Sequence, residues 1–165
     1  MADVVDTEQL KSDMWKKIAE SPFLMVGPVN GSTHSEPLTA QLGSDHKDVL
    51  FFFIGQNNRV AGGGELMLQF VSRGHDFFAC LHGTARIDND PTLIDKLWTR
   101  QAQAWFPGGK KDPNLALLRV DIESAELWEA DMSIAGKVKM LFGGTIRPDQ
   151  DGGHAKIGTT AEARC

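Results

Sequence analysis

Cysteine is scarce in this chain, with only Cys80 and Cys165. Two isolated thiols give neither a disulfide framework nor a structural zinc site. Positive charge is also short: 17 Lys and Arg face 22 Asp and Glu, a formal net charge of -5. General nucleic-acid binders and proteins that dock on acidic membranes need surplus cations to replace counterions on phosphate, so both classes are disfavoured. The longest apolar run, 49–54, is far too short to cross a bilayer. The opening Met1-Ala2-Asp3-Val4-Val5-Asp6 lacks the basic start and apolar stretch of a secretion signal. Without one, Asn30-Gly31-Ser32 reads as a turn and not as a glycosylation acceptor. Cytoplasmic localisation is the resulting expectation.

Familiar catalytic signatures are missing too. Gly62-Gly63-Gly64-Glu65 lacks the spacing and the following helix of a dinucleotide-binding turn. The stretch from Phe106 to Asp112 resembles a phosphate loop but lacks its first glycine and its Ser or Thr. The five histidines show no metalloprotease spacing, and no Gly-x-Ser-x-Gly is present. Asp121, Glu123, Glu126 and Glu129 fall on the polar faces of a predicted hairpin and read as solvated charge. No side chain declares itself a general acid, a base or an activated nucleophile.

What is present describes one globular unit. At 165 residues, with 41% hydrophobic and 24% charged residues, the chain has the size and balance of a single domain. Asp6 followed by Gln9 resembles a capping box, and Leu10, Met14 and Ile18 repeat at helical spacing until Ser21-Pro22 stops the helix. Strands are predicted at 23–29 and 33–42 around the hairpin signal Asn30-Gly31, at 49–54, and at 65–72 and 77–87. The run at 49–54 is apolar on both faces and should be central. A short helix is expected from Asn58, dissolving at Gly62-Gly63-Gly64. A longer one should be capped by Asp90, start at Pro91, carry Leu93, Ile94, Leu97, Trp98, Gln101 and Trp105, and end at Pro107. Segments 115–122 and 125–130 look like a closing hairpin, and 133–141 like a last short helix. The domain should occupy 1–142, leaving 143–165 as a loose tail with a short strand near Lys156-Ile157. Six or seven strands joined mostly by short turns, with interspersed helices, predict a mainly β antiparallel barrel with peripheral helices.

The order of several segments is distinctive. Phe23-Leu24-Met25-Val26 precedes His34-Ser35-Glu36-Pro37-Leu38-Thr39, then Leu50-Phe51-Phe52-Phe53-Ile54-Gly55-Gln56-Asn57-Asn58-Arg59-Val60 and Leu81-His82-Gly83-Thr84. Asp95-Lys96-Leu97-Trp98 and Ala104-Trp105-Phe106-Pro107-Gly108-Gly109-Lys110-Lys111-Asp112-Pro113 follow, with Ala125-Glu126-Leu127-Trp128 near the end. Together these resemble the general stress protein 26 family within the pyridoxamine 5′-phosphate oxidase-like, FMN-binding split-barrel superfamily. The resemblance implies an antiparallel split β-barrel and a homodimer with FMN at the subunit interface. It places the isoalloxazine near Pro37, Leu38 and Thr39 and at Phe53, Ile54 and Gly55. It places the phosphate at Asn58 and Arg59, where the family usually has Lys. Arginine's fork of donors suits a phosphate equally well.

Other positions keep two readings. Trp105 fits a core or interface anchor, or a contact with the partner's flavin. Lys110 and Lys111 fit an exposed loop or a second cation for the phosphate. His82 fits a strand neighbour better than a cofactor contact. Glu36 stands where the family commonly carries Arg, which would oppose phosphate if it points inward. Ile54-Gly55-Gln56-Asn57 also replaces a more hydroxyl-rich turn. The expected function is an FMN-binding flavoprotein, an oxidoreductase of unknown substrate. The alternatives are a flavin-binding or cofactor-free scaffold without turnover and, more weakly, a pyridoxamine phosphate oxidase, which should need further basic residues.

Overall fold

The computed structural model describes residues 6–31, 33–130 and 153–158. Helix α1 (Thr7–Glu20) is followed by strands β1 (Phe23–Pro28), β2 (Glu36–Gln41), β3 (Val49–Gly55), β4 (Gly64–Val71) and β5 (Phe77–Ile87). Helices α2 (Pro91–Leu97) and α3 (Arg100–Trp105) and a 3₁₀ turn, Gly109–Lys111, lead to β6 (Leu115–Glu129) and β7 (Gly153–Gly158). The strands pair antiparallel in the order β3-β2-β1-β4-β5-β6-β7. A further β3–β6 ladder, from Val49↔Asp121 to Gly55↔Leu115, closes the first six into a barrel. The predicted antiparallel barrel with outer helices is therefore the fold.

Alternation along each strand builds two cores. In β3, Leu50, Phe52 and Ile54 point into the barrel with Val26, Leu68, Phe70 and Leu118. The odd-numbered Val49 and Phe51 point outward, where Leu93, Ile94, Leu97 and Phe106 cover them, with Phe53 packed at the edge. Both faces of β3 are thus buried, as its unbroken apolar run predicted. Helix α1 adds Leu10, Met14 and Ile18 to the barrel core. Its cap, Asp6, accepts from the Glu8 and Gln9 amides, worth about 1 kcal/mol. The capping box is only half formed, because the Gln9 side chain donates to Asp13 instead of returning to the cap.

Four local expectations are corrected. Asn30-Gly31 does not close a two-residue hairpin, since the β1–β2 ladder ends at Val26↔Glu36. The Val29 amide donates toward β4, to the Glu65 carbonyl, so the neighbouring Pro28 faces β2 with no amide to offer. No helix starts at Asn58. Its side chain accepts from the Val60 amide, and turns close from Asn58 to Gly55, Ala61 to Asn58 and Gly63 to Val60. The predicted helix from Pro91 to Trp105 breaks in two. Trp98 is extended and packs edge-on to Phe53 at 5.2 Å, while Thr99 caps α3 by accepting from the Ala102 amide.

The closing hairpin, finally, is one continuous strand. The polar pair Glu123-Ser124 marks a β-bulge, with His82 opposite Ser124 and Gly83 opposite Ile122. A Cβ at Gly83 would lie 2.6 Å from the Asp121 carbonyl, so only glycine permits this approach. Before the bulge β6 pairs with β3; after it, with β7. The strand expected near Lys156-Ile157 is present as β7, while the helix at 133–141 and the rest of the tail lie outside the described residues.

Candidate functional site

The barrel wall opens between β2 and β3. Their ladder holds two pairs, Ala40↔Phe52 and Gln41↔Phe51. Beyond these, residues 37–39 and 53–55 are no longer paired with each other, although β3 stays fully paired to β6 and β2 to β1. Glycine ends β3 at Gly55, whose carbonyl accepts from the Asn58 amide and turns the chain back toward the gap.

Helix α3 roofs this opening and makes it a cleft of about 520 Å³. Its walls are Pro37, Leu38, Thr39 and Gln41 of β2, Phe53, Ile54 and Gly55 of β3, and Asn58. Gln101, Ala102 and Trp105 of α3, with Phe106, form the roof, and Phe23 and Asn114 complete the rim. The Gln101 amide donates to the Thr39 hydroxyl at 3.4 Å, tying helix to strand across the cleft. Trp105 remains 76% exposed, so within this chain it is a rim residue and not a core anchor.

Among the described residues no lining side chain is ionisable. The cleft offers apolar surface, amides, one hydroxyl and strand backbone, the makings of a slot for a flat heteroaromatic ligand. It offers no general acid or base. Among the described residues no group of His, Cys, Asp or Glu is arranged to hold a metal. No helix among them is long and apolar enough to cross a membrane.

Eight of the ten residues singled out from sequence meet here: Pro37, Leu38, Thr39, Phe53, Ile54, Gly55, Asn58 and Trp105. Arg59 sits at the margin, one residue beyond Asn58, with its Nε 3.3 Å from Glu36 Oε2 and its Nη1 donating to the His34 carbonyl at 2.7 Å. Lys110 is in a separate polar groove with Lys96 and Lys111, where it pairs with Asp95. His82 lies on the outer face of β5 between Glu65 and Glu123 and does not line the cleft. Of the six lining residues that sequence reasoning missed, three are polar: Gln41, Gln101 and Asn114. Gln101 was legible as a polar residue on an apolar helical face; nothing local marked the other two.

Comparison with known proteins points the same way. A family model described as pyridoxamine 5′-phosphate oxidase like matches residues 6–147. General stress protein 26 of Bacillus subtilis is 38% identical over 55 residues, 33% of this chain. That match spans only 39% of the relative's own length. The crystal structure of a general stress FMN/FAD binding protein from Xanthomonas citri is 36% identical. It superposes with a TM-score of 0.72 over 78% of this chain and 94% of that one. General stress protein 26 of Bacillus anthracis, 20% identical with a TM-score of 0.59 over 72% of this chain and 93% of that one, shares the fold.

Proposed function

Because the chain belongs to the pyridoxamine 5′-phosphate oxidase-like family, we propose that it is an FMN-binding flavoprotein that acts as an oxidoreductase on a substrate still to be identified. One observation carries the reading: the charge-free cleft where β2 and β3 separate. Isoalloxazine is flat and apolar in its body but has donors and acceptors along one edge. Strand backbone at 37–39 and 53–55 that the β2–β3 ladder leaves free would read that edge, and Trp105, Phe53 and Pro37 would flank the ring. Asn58 on the cleft wall and Arg59 at its margin would hold the phosphate tail. FMN supplies the electron chemistry when bound, and the protein supplies position and water exclusion. The similar Xanthomonas citri protein, described as FMN/FAD binding, supports the choice of a flavin.

A homodimer belongs to the same proposal. The outward residues Phe23, Met25, Val71 and Phe78 of β1, β4 and β5 are exposed and apolar, an unusual run for a surface. Phe23 also lines the cleft, so a second copy seated on this face would approach the ligand. A holder of flavin without turnover is the second reading, favoured by the lack of an ionisable side chain in the cleft walls.

Titrating the purified protein with FMN, following flavin fluorescence, tests the proposal. Saturable binding with a yellow product is expected; colourless protein with no measurable binding overturns it. Stopped-flow mixing of the FMN-loaded protein with NADH or NADPH then separates the readings. Bleaching of the flavin band supports the oxidoreductase, and an unreduced flavin the passive holder.

A further inference from the structure

We propose that Glu36 sets the ligand preference of the cleft, making it nearly indifferent to the flavin's phosphate, so that riboflavin and FMN are held with similar affinity. The inference rests on the flavin reading above. With no charge among the described residues of the cleft walls, a dianionic tail would find this chain's cation at the margin. Among the described residues the cation at the margin beside Pro37 and Asn58 is Arg59, and it already has an anion. Its Nε lies 3.3 Å from Glu36 Oε2, while Nη1 donates to the His34 carbonyl and holds the guanidinium in place. Glu36 depends on that contact, because its other oxygen, Oε1, is buried with no hydrogen-bond partner among the described residues.

Two outcomes face an arriving phosphate, and both are costly. Drawing Arg59 away strips a largely buried carboxylate of its counter-ion. Leaving the pair intact sets a carboxylate beside a phosphate dianion, and like charges repel strongly at such a site. Either cost offsets the charge-assisted hydrogen bonds that Arg59 would give. Affinity then comes from the ring, which both flavins share. Glu36 is thus a built-in competitor for the phosphate's cation.

Titration of the full-length protein with FMN and with riboflavin, in parallel, tests this. The two dissociation constants are expected to agree within about tenfold. Glu36→Gln keeps the side chain's shape and removes its charge. It should raise the preference for FMN over riboflavin by about tenfold, and adding Arg59→Ala should take that gain away. A wild-type preference for FMN of about a hundredfold or more overturns the inference while leaving the flavin reading intact, and needs no variant. So does an unchanged ratio in a folded Glu36→Gln protein. Binding of neither flavin overturns the flavin reading and this inference with it.

Discussion

The barrel shows two outer faces built by the same rule with opposite fates. On the β3–β6 side, outward Val49, Phe51, Leu115 and Leu117 are buried under Leu93, Ile94 and Leu97 of α2 and under Phe106. On the β1–β4–β5 side, outward Met25 and Val71 are 42% and 46% exposed, although inward Leu24, Val26, Leu68 and Phe70 beside them are fully buried. Period-two alternation decided inside from outside equally well on both. Cover was decided by the connections. The link from β5 to β6 carries two helices, whereas the link from β4 to β5 is a short turn at residues 72–76. An apolar outward residue is therefore core on one wall and surface on the other, and the cleft lies where the covered wall ends.

The sharpest break of this comparison is Phe51→Ala. Phe51 is fully buried, with His46 edge-on at 5.1 Å, and the variant should lose about 3–5 kcal/mol in chemical denaturation. A loss below 1 kcal/mol, the scale expected of an exposed position, would mean that the helices do not truly seal this wall. On the bare wall, Met25→Glu should leave the fold intact but weaken self-association by about a hundredfold, a loss of about 3 kcal/mol. Sedimentation at micromolar concentration should then show the variant as a monomer and the parent as the proposed dimer. A dimer unchanged by the charge would move the interface elsewhere.

Trp105→Ala probes the boundary between the two. With the side chain so exposed, stability should change by no more than about 0.5 kcal/mol, while FMN affinity should fall by about tenfold. Unaltered affinity would remove Trp105 from the proposed site.

The smallest effect should come from the β4–β5 turn on the bare side. There the Ser72 hydroxyl, 2.6 Å from Asp76, holds that carboxyl below its ordinary range; burial opposes this and Lys17 adds to it. A pKa lowered by folding gives stability that is present above the ordinary carboxylate value and lost as pH falls through the lowered one. Asp76→Asn should therefore flatten the acid side of the stability curve, read from thermal melts between about pH 5 and 2. Parallel curves would show that the turn contributes nothing to acid stability.

Much of the site was legible in the chain through its resemblance to a known family, carried by segments on two strands and the turn after β3. Pro37 to Thr39 and Phe53 to Gly55 could be named because that resemblance places the ring there; the apolar run at 49–54 alone showed only a central strand. Gln41 and Asn114 could not, because their place in the cleft depends on where β2 leaves β3 and where β6 begins. Arg59 was legible as a cation beside the site, yet its partner was not. Glu36 lies far from it in sequence, and the pair exists only because β2 and the turn after β3 meet.

The sequence by itself determined the presence of β1 to β5, the burial of β3 on both faces and the helix caps at Asp6 and Asp90. Those are local properties, settled by alternation, side-chain caps and the missing donor of proline. Only the tertiary structure decided that β6 is one bent strand, that the helix after Asp90 breaks at Trp98, which walls are covered, and that Glu36 claims Arg59. Each of these turns on a contact between distant segments. There, packing of Trp98 on Phe53, the close approach at Gly83 and the pairing of two charges outweigh the small preferences of any one stretch.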